Sequence, residues 1–353
     1  MYIAQVGIAH PPHYYNQEQL LGAFETLWAK EHHNPRRVAQ LHKAVRVGGR
    51  HLALPMEDYE QLEGFTDANN AFIRVGTDVG ESAILNALKG TGLTPKDIDA
   101  IFFVSVTGIA TPSIDARLVN RLGLRQDVKR IPIFGLGCVA GAAGTARLFD
   151  YLKAYPNDVA LLLSVELCSL TLQRKDLSIP NLIASGLFGD GSACVLGLGA
   201  NRGVQLNIKG PRVLGTESRF YPDTESVMGW DIGSDGFKII LEARVPQLAR
   251  THLRADVDSF LAKHELTRKD IQHWLCHTGG PKVLQAFQDS LELNEDDIKL
   301  SWDSLQEVGN LSSASVLYVL HDTLSQKSPK SGEKGLMLAM GPGFCCELVL
   351  IEW

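Results

Sequence analysis

The sequence has few features of nucleic-acid-binding or membrane proteins. Lys and Arg number 34 against 40 Asp and Glu, which gives a formal net charge of -6 over 353 residues. This balance argues against nucleic acid as a partner, because phosphate backbones are bound through an excess of Lys and Arg. The apolar runs, such as residues 159–165, have the length of strands, and the first residues lack the pattern of a secretory leader. We therefore expect a cytoplasmic protein without stable membrane insertion.

Cysteine is also scarce, and its spacing fits neither a metal site nor a disulfide framework. No two cysteines have the C-x-x-C spacing, and no Cys and His residues follow one another at the spacing of zinc ligands. We expect no bound metal and six reduced thiols, which are Cys138, Cys168, Cys194, Cys276, Cys345 and Cys346.

The stretch from Gly135 to Gly144, Gly-Leu-Gly-Cys-Val-Ala-Gly-Ala-Ala-Gly, surrounds Cys138 with small residues. The apolar residues 130–134 predict a strand before it, and residues 145–152 predict a helix after it. Cys138 then lies at a helix N-terminus, where backbone N–H groups and the helix dipole stabilise a thiolate and lower the thiol pKa. We interpret Cys138 as a catalytic nucleophile.

Two other interpretations of this stretch stay open. A free cysteine is often a small buried apolar residue without a chemical role. Gly135, Gly137 and Ala140 also fit the G-x-G-x-x-A pattern of a dinucleotide site, which is a weak pattern by itself. Such a site needs an acidic residue at the end of the next strand, about 20 positions on. Residues 156–158 at that distance form a turn before the strand instead.

Two helices are predicted near the N-terminus. Asn16 caps the first, which has one apolar face made of Leu20, Leu21, Phe24 and Leu27. Asn34 and Pro35 begin the second as cap and first helical residue. Five cations and no acid lie between residues 34 and 57, and these are Arg36, Arg37, Lys43, Arg46 and Arg50. The basic helix is either a solvated face or a site for anionic nucleotide phosphates.

A repeated segment indicates an internal duplication. Residues 93–98 read Leu-Thr-Pro-Lys-Asp-Ile and residues 266–271 read Leu-Thr-Arg-Lys-Asp-Ile, an offset of 266 − 93 = 173, and each precedes an apolar strand. Asn310 opens a second turn of small residues at nearly the same offset from Cys138, 310 − 138 = 172. We predict two halves with one order of elements, residues 1–200 and 201–353, each with a mostly parallel sheet covered by helices.

The second half supplies a histidine at a strand end. Residues 274–281, Trp-Leu-Cys-His-Thr-Gly-Gly-Pro, predict a strand that stops at His277 and a helix that begins after the Gly-Gly bend. In two pseudo-symmetric halves, Cys138 and Asn310 approach each other from the starts of the two central helices. Cys138, His277 and Asn310 are then suited to act as nucleophile, base and hydrogen-bond donor.

Five motifs together resemble the type III polyketide synthases, the chalcone synthase-like family. They are Gly137-Cys138, His277-Thr-Gly-Gly-Pro281, Gly309-Asn310-Leu-Ser-Ser313, Phe188-Gly-Asp-Gly191 and Gly341-Pro-Gly-Phe344. Their order and spacing match that family over essentially the whole chain. The resemblance implies an α/β protein of the thiolase fold, with two duplicated αβαβα halves that give a five-layered core, and a homodimer.

The same resemblance assigns roles to residues. It implies a Cys-His-Asn triad of Cys138, His277 and Asn310, coenzyme A thioesters as substrates, and no separate metal or redox cofactor. The basic helix lies where plant relatives bind the nucleotide phosphates, which makes Arg36, Arg37, Lys43 and Arg46 candidate coenzyme A ligands. Phe188 matches the aromatic gatekeeper of the substrate tunnel. The other implied substrate-binding residues are Val106, Thr111, Gly341, Pro342, Gly343 and Phe344.

The implied reaction loads an acyl starter from acyl-CoA onto Cys138 and extends it with malonyl-CoA, by decarboxylation and condensation. Lactone and aromatic ring closure both stay open. Residues 106–113 resemble bacterial alkylpyrone and alkylresorcinol synthases, which favour long acyl starters. Val106 stands where some naphthalene-forming relatives have cysteine, which disfavours that product. Either Phe237 or Ile239 stands opposite the second plant gatekeeper. The alternatives are an initiating β-ketoacyl carrier-protein synthase and a non-catalytic partner subunit of the same fold.

Overall fold

Helices and strands alternate through most of the chain, and the computed structural model describes residues 1–28 and 35–353. The strands are β1 Tyr2–Ala9, β2 His13–Asn16, β3 Gly49–Leu52, β4 Ala100–Ser105, β5 Lys129–Phe134, β6 Val159–Leu167, β7 Asp190–Leu198, β8 Arg212–Phe220, β9 Met228–Gly233, β10 Gly236–Leu241, β11 His273–Cys276, β12 Lys334–Gly341 and β13 Cys345–Glu352. The helices are α1 Gln17–Trp28, α2 Pro35–Ala44, α3 Phe65–Leu88, α4 Ile114–Leu122, α5 Ala140–Ala154, α6 Ile179–Leu187, α7 Ala200–Gln205, α8 Val245–Ala262, α9 Pro281–Leu291, α10 Lys299–Val308 and α11 Ser315–Asp322.

The main sheet has nine strands in the order β11-β12-β13-β8-β1-β7-β6-β4-β5. Its two halves meet between β1 and β8, where Tyr2 pairs with Arg212. In the part of the chain that the structure describes, β4–β5, β4–β6 and β11–β12 are parallel, and the other pairs of this sheet are antiparallel. The prediction of mostly parallel sheets is therefore wrong. After β6 and after β12 the chain turns back at the same edge of the sheet, which makes the next strand antiparallel.

Apolar side chains alternate between two faces of the strands and so define the layers. In β4, Phe102 and Val104 join the cluster that contains the buried residues of α5 and α11, whereas Ile101 and Phe103 pack with α3. In β11, Leu275 faces the central helices, and its neighbours pack with α8 and α9. Strands covered on both faces need apolar residues at successive positions. From one side to the other, the layers are helices, one half of the main sheet, the pair of central helices, the other half of the main sheet, and helices again. This order confirms the predicted five-layered α/β fold.

The two repeated segments fold identically. Asp97 accepts hydrogen bonds from the backbone N–H and the hydroxyl of Thr94, both at 2.8 Å. Asp270 accepts the same two bonds from Thr267, again at 2.8 Å. Each pair closes a capping box around one short turn, and the strands that follow, β4 and β11, begin 273 − 100 = 173 residues apart. The predicted duplication is thus visible in local structure.

The predicted bounds of several helices change. Asn16 caps α1 as predicted, and its side chain and that of Gln19 bond each other's backbone N–H groups at 2.9 Å. Helix α3, the longest of the described helices, runs from Phe65 to Leu88. Asn34, the predicted cap of α2, lies outside the described residues.

The boundary between the two halves at residue 200 stays a prediction. Within the described ranges, no helix is both long and apolar enough to span a membrane.

Helices α1 and α2 attach to the body through a small apolar cluster of their own. Its fully buried members are Trp28 of α1, Val38 of α2 and Leu182 of α6. The Trp28 indole N–H also donates to the Arg174 carbonyl at 2.8 Å. This cluster is separate from the three large clusters that hold the layers together.

The two central helical segments cross closely enough to require a glycine. A Cβ atom at Gly141 of α5 would overlap the carbonyl oxygen of Ser313, which lies in the short turn before α11. Nearby, the hydroxyls of Ser164 and Ser313 are hydrogen-bonded at 2.7 Å. Small residues therefore let the N-terminal ends of the two halves approach each other.

We expect Gly141→Ala to lower the free energy of unfolding by about 1–3 kcal/mol, because the added methyl group overpacks the crossing. The matched control is Gly22→Ala in α1, where a Cβ atom meets nothing within 4 Å. This control should be neutral or stabilising by up to about 1 kcal/mol, since alanine favours a helix. Thermal or urea unfolding of both variants measures the difference, and equal stabilities would show that the crossing tolerates a side chain.

Candidate active site

Cys138 lies in the turn between β5 and α5. Residues 137–139 form one short 3-10 turn before the helix, as the strand-to-helix prediction requires, and the Cys138 side chain is buried. Gly137 has φ +56, and a Cβ atom there would lie 2.7 Å from Pro342 Cγ. Glycine is therefore needed both for the left-handed backbone and for the close approach of the loop after β12.

The Gly341–Phe344 loop supports this turn more than it lines a cavity. A Cβ atom at Gly341 would lie 2.7 Å from the Val139 nitrogen, and Pro342 packs on Gly137. Phe344 is buried, and its N–H donates to Thr224 Oγ1 at 2.7 Å. Of the four predicted substrate-binding residues in this loop, Phe344 alone is among the residues that line the pocket of Cys138.

His277 follows β11 and continues its pairing with β12. Its N–H donates to the Leu338 carbonyl at 2.9 Å, and its own carbonyl accepts from Gly279 at 2.9 Å. These bonds fix the backbone at the strand end, and the buried imidazole projects from this rigid element.

Asn310 is held by the backbone next to Phe188. Its N–H donates to the Leu187 carbonyl at 2.9 Å, and its carbonyl accepts from Gly189 at 3.0 Å, which forms an isolated bridge between Phe188 and Asn310. Its side-chain oxygen accepts from Ser312 N–H at 2.8 Å and from the Ser315 hydroxyl at 3.2 Å. Because both donors use Oδ1, the amide nitrogen Nδ2 remains as a donor for the site.

These three side chains meet at one pocket of about 20 Å³. Such a volume holds little more than a single water molecule, so bound substrate must displace side chains from it. The structure therefore brings the three predicted triad residues together. The remaining lining residues are Leu187, Phe188, Met228, Leu241, Val245, Ala249, Gly279, Val283, Met340 and Phe344.

Burial dominates the electrostatics of the nucleophile. It raises the pKa of the Cys138 thiol to about 12, although the hydrogen bond to Ser312 Oγ at 3.7 Å acts in the opposite direction. For Cys138 taken singly, the predicted lowering of the pKa is wrong. Burial also lowers the pKa of His277 to about 4. Both pKa shifts express the cost of burying a single charge. Transfer of the proton from sulfur to imidazole would give a thiolate and an imidazolium, whose opposite charges stabilise each other.

Glu166 is a buried carboxylate that the sequence analysis missed. It accepts hydrogen bonds from Val106 N–H at 3.1 Å, from the Thr107 hydroxyl at 2.9 Å and from the Ser313 hydroxyl. Burial raises its pKa to about 7. Glu166 thus ties β6 and the end of β4 to the turn that carries Ser312, the partner of Cys138. A lone Glu in an apolar strand, Val159–Leu167, was the available signal.

A larger cavity of about 500 Å³ lies beside Phe188. Phe188 borders both this cavity and the pocket of Cys138, as expected for a residue between two compartments. The walls are mostly apolar and include one face of α1 together with strands of the second half, through Leu20, Ala23, Phe24, Leu27, Trp230 and Ile239. Of the two residues predicted opposite the second gatekeeper, Ile239 lines this cavity, and Phe237 lines a separate one of about 170 Å³.

Two predicted tunnel residues are not among those that line these cavities. Val106 is buried, and its N–H is directed to Glu166. Thr111 is exposed, in the loop between β4 and α4. The wall is formed instead by the apolar face of α1, which the sequence pattern indicated only as a packing face. A helix face that packs on a core and one that borders a cavity have the same apolar spacing.

One of the five cations between residues 34 and 57 is not on the surface. Arg36, Arg37, Lys43 and Arg46 are exposed, whereas Arg50 is fully buried. The Arg50 guanidinium donates to the carbonyls of Ser185 and Gly186 at the end of α6, where a cation satisfies carbonyls without a helical partner. Arg46 lies over the Trp302 ring, 5.1 Å from its centroid.

Comparison with known proteins agrees with this geometry. The sequence profile described as "Chalcone and stilbene synthases, N-terminal domain" matches residues 2–201, and the corresponding C-terminal domain profile matches residues 213–352. The 1,3,6,8-tetrahydroxynaphthalene synthase of Streptomyces peucetius subsp. caesius is 50% identical over 351 residues, 99% of this chain and 93% of that protein. A putative chalcone synthase of Bacillus subtilis is 37% identical over 359 residues, 100% of this chain and 98% of its own length.

A solved structure has the same fold. The crystal structure of 1,3,6,8-tetrahydroxynaphthalene synthase from Streptomyces coelicolor A3(2), a bacterial type III polyketide synthase, superimposes with a TM-score of 0.94 at 31% identity. The match covers 100% of this chain and 99% of that one. The five layers described above are thus those of a protein with known chemistry.

The pH dependence of Cys138 alkylation tests the proposed proton transfer within the pair. If His277 accepts the thiol proton, iodoacetamide should react at a rate that is nearly constant around neutral pH. In His277→Ala the thiol is alone, and burial holds its pKa near 12. Alkylation at pH 7 should then be slow and rise about tenfold per pH unit, since only the thiolate reacts.

Mass spectrometry of peptides that contain Cys138 measures this rate separately from the other thiols. A wild-type rate that climbs steadily from pH 6 to pH 10, as in the variant, would exclude a thiolate–imidazolium pair.

Proposed function

Because this chain belongs to the chalcone and stilbene synthase family and is a type III polyketide synthase, we propose that Cys138, His277 and Asn310 carry its chemistry. The observation that supports this most is their convergence on one pocket from three separate elements. The thiol is carried by the turn before α5, the imidazole by the end of β11, and the amide by the segment after α10. Such a set provides a nucleophile, a base and an oxyanion donor within one site.

The proposed loading step transfers an acyl group from acyl-CoA to Cys138. His277 takes the proton from the sulfur, the sulfur attacks the thioester carbon, and the coenzyme A thiolate leaves with that proton. Next, malonyl-CoA loses carbon dioxide, and the electron pair moves onto the thioester oxygen. Asn310 Nδ2 and the N–H of the His277 imidazole, which is neutral again after coenzyme A has left, donate to this enolate oxygen. The enolate carbon then attacks the acyl group and releases Cys138. These steps move protons and acyl groups without net oxidation, so coenzyme A thioesters suffice and no separate cofactor is proposed.

Helix α2 is the proposed contact for the coenzyme A phosphates. Arg36, Arg37 and Lys43 are exposed on it. His42 of the same helix is hydrogen-bonded to Ser185 of α6 at 3.1 Å, and α6 ends immediately before Phe188. The position of α2 is therefore compatible with a coenzyme A thioester whose phosphates bind to α2 and whose thioester end lies near Phe188. Arg46 has weaker support, because it stacks on Trp302 beside a cleft that also contains acidic side chains.

A homodimer and a cytoplasmic location are part of the proposal. Strand β5 is an edge of the sheet, with Phe134 at its end 49% exposed and Ile109 in the adjacent loop 43% exposed. An edge strand with apolar residues near it is suited to pairing with a second chain. The six cysteines are free thiols, as expected for a reducing compartment.

The first candidate product is a polyhydroxylated naphthalene. It is supported by the name of the Streptomyces peucetius relative and by chemistry, since such a skeleton can be built entirely from malonyl-derived units. The sequence argument against it rested on Val106, which is not among the cavity-lining residues. The second candidate is an alkylpyrone or alkylresorcinol made from a long acyl starter, which the apolar cavity beside Phe188 supports. Product analysis with malonyl-CoA alone, and then with added acyl-CoA, distinguishes the two.

We expect Cys138→Ala to abolish the acyl adduct that forms on the protein, and Asn310→Ala to leave it. Removing one oxyanion donor costs about 10²–10³ in rate, so Asn310→Ala should slow carbon dioxide release from malonyl-CoA by that factor. Intact-mass spectrometry measures loading, and radioactive carbon dioxide measures decarboxylation. Cys194→Ala is the control, because this buried thiol lies in β7 outside the site. Equal defects in both steps for Asn310→Ala would contradict the proposed division of roles.

The long-starter candidate predicts that kcat/KM rises with acyl-CoA chain length, because each buried methylene contributes up to about 0.8 kcal/mol. Ala23→Trp fills the cavity wall and should reduce the preference for long over short starters by about tenfold, equivalent to two methylenes. Glu25→Trp adds the same side chain to the exposed face of α1 and should leave the preference unchanged. A flat wild-type profile from acetyl-CoA to palmitoyl-CoA would exclude this candidate and leave the triad proposal intact.

A further inference from the structure

A chain of hydrogen bonds leads from the cavity wall to a buried carboxylate outside the triad. The Ser169 hydroxyl donates to Asp190 Oδ2 and is itself bonded to the Tyr59 hydroxyl. Because Ser169 uses its only hydroxyl proton on Asp190, Tyr59 must donate to Ser169. Asp190 also accepts from Ser169 N–H at 2.8 Å and Ala53 N–H at 2.5 Å. Tyr59 therefore donates to Ser169, and Ser169 donates to Asp190, which only accepts.

The two hydroxyl residues of this chain face open space, and the acid does not. Tyr59 and Ser169 line both the cavity of about 500 Å³ and the adjacent one of about 170 Å³, so they form part of the wall between the two. Asp190 is fully buried behind them. It follows Phe188 by two residues, and Phe188 borders the pocket of Cys138. A growing chain that extends from Cys138 past Phe188 would meet the hydroxyl end.

We propose that Tyr59, Ser169 and Asp190 form a proton relay for carbon–carbon ring closure of the poly-β-keto chain. The proposal rests on the proposed function of the triad. It adds a second catalytic group, because the triad builds the chain and the relay would close the ring. It also favours an aromatic product over a lactone. Lactone closure uses an enol oxygen as the nucleophile, whereas the relay would generate a carbon nucleophile.

The proposed step is an aldol addition. A methylene between two carbonyl groups gives its proton to Tyr59 Oη, the phenolic proton of Tyr59 passes to Ser169 Oγ, and the Ser169 proton passes to Asp190 Oδ2. The electron pair of the broken C–H bond attacks a ketone carbon of the same chain, which forms the new C–C bond and an alkoxide. The protons then return in the reverse order, and the alkoxide becomes a hydroxyl. No electron or proton is gained or lost overall.

The surroundings of Asp190 allow it to take and release this proton. The charged and titratable groups that face it are Arg50, Tyr59 and Cys168. The Arg50 guanidinium is directed to carbonyls of α6 rather than to a carboxylate. Burial raises the pKa of Asp190 to about 7, and Arg50 acts in the opposite direction. Burial also raises the pKa of Tyr59 well above its ordinary value, so the phenol passes a proton on without becoming a lasting anion.

The test compares loading, decarboxylation and product type in Tyr59→Phe and Ser169→Ala. General acid–base groups contribute about 10²–10⁴ in rate, so the ratio of carbocyclic to lactone or hydrolysed product should fall at least tenfold. Acyl loading of Cys138 and carbon dioxide release should stay near the wild-type values. The controls are Tyr151→Phe and Ser290→Ala, whose hydroxyls donate to the Asp158 carboxylate and the Ala286 carbonyl, and none of these four residues lines either cavity. Both controls should keep the wild-type product ratio.

The pH profile adds a measurement that a purely structural role would not affect. An ionised Asp190 accepts the proton, so the carbocyclic share in the wild type should fall as pH drops below about 7, where burial places the Asp190 pKa. In Tyr59→Phe the share should be low at every pH. An unchanged product ratio in Tyr59→Phe, or a wild type that makes only lactone while loading normally, overturns the relay.

Failure of the proposed function has a different signature. If the wild-type protein forms no acyl adduct on Cys138, the triad proposal fails, whatever the relay variants do. If Ser169→Ala does not fold, Tyr59→Phe decides alone, because phenylalanine keeps the ring and removes only the hydroxyl.

Discussion

The close crossing of the two central helical segments is the constraint on which the site depends. Gly141 has no side chain, so the Ser313 carbonyl can lie against α5. The neighbouring Ser312 then reaches Cys138 Sγ at 3.7 Å, and Ser312 N–H orients the Asn310 side chain. One backbone contact thereby fixes Cys138 of the first half next to Asn310 of the second half. The site is a consequence of how the halves pack, and neither half contains it alone.

Local signals explain why the duplication, and the meeting of Cys138, His277 and Asn310 at one pocket, could be predicted from the sequence. The Thr94 and Thr267 capping boxes depend on residues three positions apart, and a strand that stops at His277 can be recognised from its own apolar run. The symmetry then brings Cys138 and Asn310 together without any knowledge of distant contacts. The repeated capping boxes and the shared pocket, predicted from short-range patterns and one symmetry argument, agree with the structure.

Long-range contacts explain what the sequence did not predict. Whether Arg50 is a surface cation or a buried partner of α6 depends on carbonyls more than a hundred residues away. Glu166 has its role only because Ser313 of the other half lies beside it. The antiparallel strands β7 and β13 depend on which edge of the sheet the chain returns to. The inner wall of the cavity belongs to α1, whose apolar spacing is the same as that of an ordinary packing face.

The small apolar cluster that attaches α1 and α2 has a consequence for how this protein can change. Trp28, Val38 and Leu182 form a contact apart from the three large clusters, so substitutions in α1 alter the cavity wall with little effect on the layers that position Cys138, His277 and Asn310. Mutations at distant, independent sites add without interaction. Substrate range and bond-making chemistry can therefore evolve along separate sets of positions, and a new cavity shape need not cost the catalytic centre its geometry.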